Sequence, residues 1–404
     1  MLATALVVTT DFSHPLIARV HHLVRFLRSK GIDVKVIDIP IPFGTREKGL
    51  ASYLKKVFNF PKSGALNSHG SVVHFPSLSL KTEGNLKSLM SALGLAQALI
   101  LAKISLRTWK YDIVIATGPF AGFVTMFIAE PETYVIYEDT DFWGGLSKGK
   151  LQGFVVSLLE NYCLKKARLV ISNSKFLSEK SRRFNPRTIF ISNGVDVARF
   201  YGQRKLPPNP TLVYMGSISE WAGIDIVLEA MPQLIKKFSG ITLKVCGGGP
   251  KRPEYERYLK DKGLEEHVLF LGKLPYDELP NQLLSSHVGI AMLRPQRFSV
   301  FASPLKLFEY MAAGLPIVAT DVGETRRIIS ESGAGICVGW NLNEFVDAVE
   351  KLLIDRKLWL KCHENGLRYV KKYDWNALFD RWLKEVKSHT IDVQSNSLKR
   401  LKSE

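Results

Sequence analysis

The chain has 404 residues, 46% hydrophobic and 23% charged, with a formal net charge of +17. That length accommodates two domains with separate cores, and that balance belongs to a globular protein, not a disordered or fibrous one. No run reaches the roughly 18 uncharged residues that a membrane-spanning helix needs; the nearest, Ser88 to Ala102, is too short and holds Gly94 and Gln97.

The charge is unevenly placed. Residues 1–205 hold 28 Lys and Arg against 14 Asp and Glu, a net of +14, while the remainder nets +3. A basic N-terminal half predicts an anionic partner, either a membrane surface or lipid phosphate. Nucleic acid is disfavoured because no binding motif accompanies the charge. The basic, partly apolar stretch Arg46 to Lys62 is expected to lie on an anionic membrane, with Lys48, Lys55, Lys56 and Lys62 at the phosphates. The alternative is an ordinary loop and helix packed on its own domain. Cys163, Cys246, Cys337 and Cys362 form no C-x-x-C and predict buried thiols, no metal site and a reducing compartment. The expected location is therefore cytoplasmic, peripheral on the inner face of the cell membrane.

Strand-like runs alternate with helical patterns along the whole chain. Ala5 to Thr10 reads as a first strand rather than a signal peptide. It runs into Thr9 to Pro15, where His14 and Asp11 could face a ligand, or Asp11 and Ser13 could simply cap a helix. That helix shows Ile17, Val20, Val24 and Leu27 on one face. Further strands are expected at Val34–Ile37, Val72–His74, Ile113–Thr117, Tyr134–Tyr137, Leu169–Ser172 and Thr188–Ile191. A helix is expected from about Leu151 to Lys166. Gly118 and Pro119 make a tight turn after their strand.

Strand Tyr134–Tyr137 ends in E-D-T-D-F-W-G-G, Glu138 to Gly145. Acids at a strand end can orient an acceptor hydroxyl or take its proton, and Phe142 and Trp143 can pack on a sugar ring. Because side chains alternate at a strand end, one of Glu138 and Asp139 is expected to face a cleft. The competing interpretation is a calcium-like or purely solvated acidic loop.

The proline-rich, polar stretch Tyr201 to Pro210 reads as a linker. It divides an N-terminal domain of residues 1–200 from a second domain of residues 211–375, with a C-terminal helix and mobile tail over 376–404. In the second domain, strands are expected at Leu212–Met215, Thr242–Cys246, Val268–Leu271, Gly289–Met292, Pro316–Ala319 and Ile336–Val338. Its clearest helix carries Ile224, Val227, Leu228, Met231, Leu234, Ile235 and Phe238 on one stripe. Alternating apolar strands and helices predict an α/β fold of two Rossmann-like, doubly wound domains. Gly216, Gly247, Gly248 and Gly249 follow strands and permit close approach of backbone to phosphate. G-x-G-x-x-G is absent, since the third glycine position is Arg252, and NAD is disfavoured.

The most informative stretch is S-P-L-K-L-F-E-Y-M-A-A-G-L-P-I-V-A-T-D, Ser303 to Asp321. Ser303 is expected to cap a helix with Pro304 at its first position. Leu305, Phe308, Met311 and Ala312 give a buried face, and Gly314 stops the helix. Lys306 and Glu309 share one side. A lysine in a first turn is disfavoured by the helix dipole unless an anion also sits there. Glu309 could accept hydrogen bonds from sugar hydroxyls. An ordinary surface ion pair between the two is the alternative.

This segment resembles the donor-site motif of glycosyltransferase family 4, retaining sugar-nucleotide-dependent enzymes of the GT-B fold. Three stretches match in the family's order: S-N-G-V-D-V-A-R-F (Ser192 to Phe200), Y-M-G-S-I-S-E-W-A-G-I-D (Tyr214 to Asp225) and K-V-C-G-G-G-P (Lys244 to Pro250). The match runs from about Ser192 to about Ala348; the N-terminal half matches in layout alone. The resemblance implies two domains facing across a cleft. It also implies retention, no obligatory metal or cofactor, and a UDP- or GDP-linked sugar as co-substrate. The donor would be held by Gly216, Ser217, Gly247, Gly248, Lys273, Leu274, Arg294, Ser303, Pro304, Leu305, Lys306 and Glu309. On the acceptor side, Asp139 best matches the family's functional acid, with Glu138 next and His14 a further candidate. The acceptor would be a lipid-linked or cell-surface glycan precursor.

Three positions depart from the family pattern. Ser217 and Ala222 stand where a basic pair is usual, and Phe301 where a second glutamate is usual. Lys306, Arg294 and the helix N-terminus are the available substitutes. These departures keep two alternatives open: a sugar-nucleotide epimerase of similar fold, and a non-catalytic sugar-nucleotide or membrane-binding protein.

Overall fold

A computed structural model describes residues 2–10, 12, 18–39, 47–48, 72–74, 78–79, 111–147 and 149–401. His14, Asp11, the run Ser88 to Ala102 and nearly all of Arg46 to Lys62 lie outside the described residues. The chain divides into two compact units, Met1–Ile191 with Phe379–Glu404, and Ser192–Leu378. The change of unit thus falls at Ile191/Ser192 and not across the expected linker. That stretch packs onto the second unit instead. Arg204 donates to the carbonyls of Ala313, at 2.7 Å, and Ser286, and its guanidinium lies 5.3 Å from the Trp359 ring centroid.

The first unit is built on a parallel sheet, seven strands wide among the described residues. Their order is Val72–His74, Asp33–Ile39, Thr4–Thr10, Ile113–Thr117, Val135–Asp139, Leu169–Ser172 and Thr188–Phe190. The second unit has six parallel strands in the order Val268–Gly272, Thr242–Cys246, Thr211–Met215, Val288–Ala291, Ile317–Thr320 and Gly335–Val338. In both, the first strand in sequence lies inside the sheet and the chain reverses direction of travel beside it. This is the doubly wound order, in which ligands bind beyond the carboxyl ends of the strands at the reversal. A two-residue pair, Glu47–Lys48 with Leu78–Ser79, was not anticipated from sequence.

Burial on both faces explains the near-continuous apolar strands. In the second unit, helix Ile224–Lys237 buries Ile224, Val227, Leu228, Met231 and Leu234 on the sheet, joined by Phe345, Val349 and Leu352 of helix Leu342–Ile354. In the first, Leu6, Val8, Ile37, Ile39 and Val114 of the strands meet Ala121 and Val124 of helix Pro119–Ile128. Helix Arg19–Ser29 buries Val24 and Leu27, as its spacing predicts.

The last helix, Trp375–Leu401, runs through the region expected to be a mobile tail. Its second turn brings Trp382, fully buried, into the first unit.

Candidate functional site

The carboxyl edge of the second unit's sheet carries a cluster of interlocked loops. Gly216 follows strand Thr211–Met215 with φ of +142°, a conformation open to glycine and strained for other residues. A Cβ on Gly247 would fall 1.8 Å from the Gly216 carbonyl oxygen, and one on Gly249 2.2 Å from that of Ile218. Backbone thus lies on backbone here, tied by Ile218 N–H to the Gly248 carbonyl and Lys251 N–H to the Ile218 carbonyl, at 3.0 and 3.1 Å. Only glycine admits that approach.

Helix Leu305–Ala312 abuts the same edge. Tyr310 fixes it: its hydroxyl accepts from Met215 N–H at 2.9 Å and donates to the Ile290 carbonyl at 3.2 Å. Pro304 is the N-cap, and no side chain caps the helix. Ser303 therefore does not play the capping part expected of it. Its carbonyl is held by the Asn193 side-chain amide at 2.8 Å, and its hydroxyl is buried without a partner. The N-G-x-D signature thus works as a prop: Asn193 holds the segment that leads into helix Leu305–Ala312, and Asp196 caps helix Val197–Phe200 at Arg199 N–H.

Lys306 and Glu309 do not pair. Among the described residues Lys306 makes no hydrogen bond or ion pair; its ammonium stands 4.2 Å from the Tyr214 ring centroid, a cation–π contact. A Cβ on Gly216 would lie 2.9 Å from the same ammonium. Tyr214 is held in turn by its hydroxyl's bonds to the Ser217 and Ala222 carbonyls, at 2.8 and 3.2 Å. Both Lys306 and Glu309 keep part of their surface open, yet the atoms packed round them strip most of their hydration. That loss pulls Lys306 down to about 8, and pushes Glu309 up to about 7 against the Lys306 charge and a hydrogen bond from Tyr276. In place of the alternative, an ordinary surface ion pair, stands a poorly hydrated cation at a helix N-terminus with no ion pair among the described residues. That is a waiting place for an anion.

Lys273 is exposed on the same edge, its stem 3.4 Å from where a Cβ of Gly248 would sit, and it too has no partner among the described residues. Leu274 follows it. Arg294 corrects its expectation: it pairs with Asp225, donates to the Glu220 carbonyl at 3.2 Å and covers Trp340 at 4.9 Å. It braces the loop from Ser217 to Gly223 through Nε and one terminal nitrogen.

In the first unit, the acidic loop differs more sharply from expectation. Glu138, 1% exposed, receives Arg19 Nε at 2.7 Å on one oxygen and Trp382 Nε1 at 2.6 Å on the other. Asp139 is fully buried, and its Oδ2 accepts from Ser172 Oγ at 3.0 Å and Ser181 Oγ at 2.6 Å. Neither reaches an acceptor. They are foundations of the loop, and the alternation rule failed because each side of the strand is covered. Burial pushes Asp139 up to about 7. Beyond them, Lys180 pairs with buried Glu160 at 2.8 Å and lies 4.9 Å from the Phe142 ring centroid. Asp141 is the acid of this loop that remains partly open, and burial with the Asp139 and Glu160 charges lifts it to about 7. Sequence reasoning missed Asp141, Tyr214 and Tyr276; only Asp141 had a visible signal, as the third acid of E-D-T-D.

Residues 18–199 match the family description "Glycosyltransferase Family 4", and residues 209–355 match "Glycosyl transferases group 1". Alpha-D-kanosaminyltransferase of Streptomyces kanamyceticus is 28% identical over 44% of this chain and 45% of its own. A GDP-mannose-dependent alpha-(1-6)-phosphatidylinositol monomannoside mannosyltransferase of Mycobacterium tuberculosis is 27% identical over 47% of this chain and 53% of its own. The chain spans about half the length of the curated relatives it matches. Among solved structures, sucrose-phosphate synthase from Thermosynechococcus elongatus superposes with a TM-score of 0.73 at 16% identity, covering 98% of this chain and all of that one. Anabaena HepE in complex with UDP gives 0.68 at 17% identity, covering 95% of this chain and all of that one. At such identities the likeness is one of fold, the two-domain GT-B architecture.

Proposed function

We propose that this chain, which belongs to glycosyltransferase family 4, moves a sugar from a nucleotide-sugar donor to an acceptor hydroxyl. The observation that carries this is the unpaired ammonium of Lys306 beside the Gly216 backbone and the N-terminus of helix Leu305–Ala312. The donor diphosphate meets Lys306, the free N–H groups of the helix's first turn and the Ser303 hydroxyl. Lys273 is the second cation of the edge, standing in for the basic pair replaced by Ser217 and Ala222. Glu309, steadied by Tyr276, accepts from the ribose or donor-sugar hydroxyls. When the bond from the anomeric carbon to phosphate oxygen breaks, its electrons go to the diphosphate. The cation and dipole stabilise that charge as it develops. Retention and independence from a metal are part of the same proposal.

Asp141 is the acceptor-side carboxylate. A group poised near neutrality can take a hydroxyl proton at physiological pH. The acceptor we favour is lipid-linked, in keeping with a relative named for phosphatidylinositol mannoside and one named for cellobiosyl-diphosphopolyprenol. Four unpaired cysteines support a reducing, cytoplasmic setting.

Incubation with a panel of UDP- and GDP-sugars, with and without lipid acceptors, tests the reading. Transfer that requires an acceptor is the expected result. Conversion of the donor without one would make the protein an epimerase, and binding without turnover would make it a sugar-nucleotide-binding module.

A further inference from the structure

Among the described residues ten large apolar side chains stand exposed, and five of them share one surface: Leu151 at 78%, Phe154 at 61%, Val155 at 47%, Leu158 at 52% and Phe127 at 62%. Isolated exposed hydrophobics are ordinary, but a continuous stripe is an interaction surface. The first four lie at positions 1, 4, 5 and 8 of a single run on helix Lys150–Lys166, so they fall on one face. Tyr162 extends that face by one turn. Phe123 stands 5.5 Å from the Tyr162 ring and 5.8 Å from that of Phe127, which joins the fifth side chain to the stripe.

Charge says what this face meets. Lys150 opens the helix, and Lys165 and Lys166, both exposed, close it. The helix holds one acid, Glu160, which is buried and turned inward to Lys180. The outer surface is therefore apolar with cations at both ends. A second copy of the chain fits poorly: in a parallel or an antiparallel pairing of this helix with itself, lysine ends oppose lysine ends. A bilayer with anionic headgroups satisfies both features, taking the apolar side chains below the headgroups and the lysines at the phosphates.

We propose that the outer face of helix Lys150–Lys166 is the surface by which this protein seats on an anionic phospholipid bilayer. The proposal deepens, and rests on, the reading of a lipid-linked acceptor. The helix also carries the acidic loop. Short helix Trp143–Leu146 lies against it so closely that a Cβ on Gly153 would sit 2.8 Å from the Gly144 carbonyl oxygen. Seating the helix brings Asp141 and Phe142, on the adjoining loop, to the depth of the headgroups, where a lipid-borne hydroxyl lies.

The test is flotation of the full chain with phosphatidylcholine vesicles, plain or containing phosphatidylglycerol. The wild type should float with the anionic vesicles, and Phe154→Ser with Leu158→Ser should lower the bound fraction by about tenfold. Lys165→Glu with Lys166→Glu should remove the preference for phosphatidylglycerol. Leu158→Cys, carrying an environment-sensitive fluorophore, should shift to an apolar emission on vesicle addition without needing a disruptive change. Unchanged donor affinity in each variant reports an intact fold. Failure of the wild type to float, equal binding by the serine variant, or a self-associated wild type that the serine variant dissociates would each overturn the proposal. The acceptor panel separates the two ideas: transfer that persists without vesicle binding removes this inference alone, and no transfer to any acceptor, lipid-linked ones included, with vesicle binding intact removes the enzymatic reading alone.

Discussion

At the scale of single residues, the decisive feature is a cation placed where hydration is poor and, among the described residues, no carboxylate forms an ion pair with it. Lys306→Ala removes a charge-assisted contact to the donor and should weaken nucleotide-sugar binding by about 1.5–3 kcal/mol, roughly 10- to 150-fold. The melting temperature should hardly move, because no partner is left unpaired, and calorimetry with differential scanning fluorimetry checks both. Donor affinity should also depend on pH on two sides. It falls as pH drops through about 7, where Glu309 gains a proton and can no longer accept from two hydroxyls. It falls again as pH rises past about 8, where Lys306 loses its charge. A bound diphosphate moves the upper limb further up, since it favours charged lysine. Lys306 and Glu309 were legible in the sequence because their spacing and the helix start are local. Tyr214 and Tyr276 were not: each meets the pair only after strands far apart in the chain are laid side by side.

At the scale of elements, the loop after strand Val135–Asp139 is supported by buried carboxyls. Glu138→Gln removes the buried negative charge that accepts from Arg19 and Trp382 and should destabilise by about 3–5 kcal/mol in chemical denaturation. Asp139→Asn should act in the opposite sense. The Asp139 carboxyl ionises near its usual 3.8 when unfolded and near 7 when folded, so the folded state binds more protons between those values. Wild-type stability should fall as pH rises from about 4 to about 7, and the amide, which cannot ionise, should flatten that fall by a few kcal/mol (~2–4). If the two proteins lose stability in parallel over that range, Asp139 is ionised in the fold and the account of the loop is wrong. The strand and the acids were legible from sequence. Their burial was not, because the cover comes from Trp382, 244 residues away from Glu138, and from Ser181 on helix Lys175–Arg182, 42 residues beyond Asp139. The same distance effect hid the role of N-G-x-D, whose Asn193 holds a carbonyl 110 residues on.

At the scale of the whole molecule, the alternation of apolar strands with helices was enough to predict two doubly wound sheets, since that pattern is repeated and local. The domain boundary was misplaced because proline and polarity mark a linker only when nothing packs on it, and Arg204 packs this one down. The return of the chain to the first unit was equally hidden. It makes a prediction: Trp382→Ala should destabilise the first unit by about 3–5 kcal/mol, and a chain ending before Phe379 should not fold that unit, as circular dichroism and limited proteolysis would record. The central claim is that the carboxyl edge of the second unit binds the diphosphate of a nucleotide sugar through Lys306. Titration calorimetry of UDP- and GDP-sugars against the full chain and Lys306→Ala tests it most directly. The account predicts saturable binding of one nucleotide class by the wild type, weakened at least about tenfold in the variant with the fold intact. Equal affinity in the two proteins, or no binding of either class by the wild type, would contradict it.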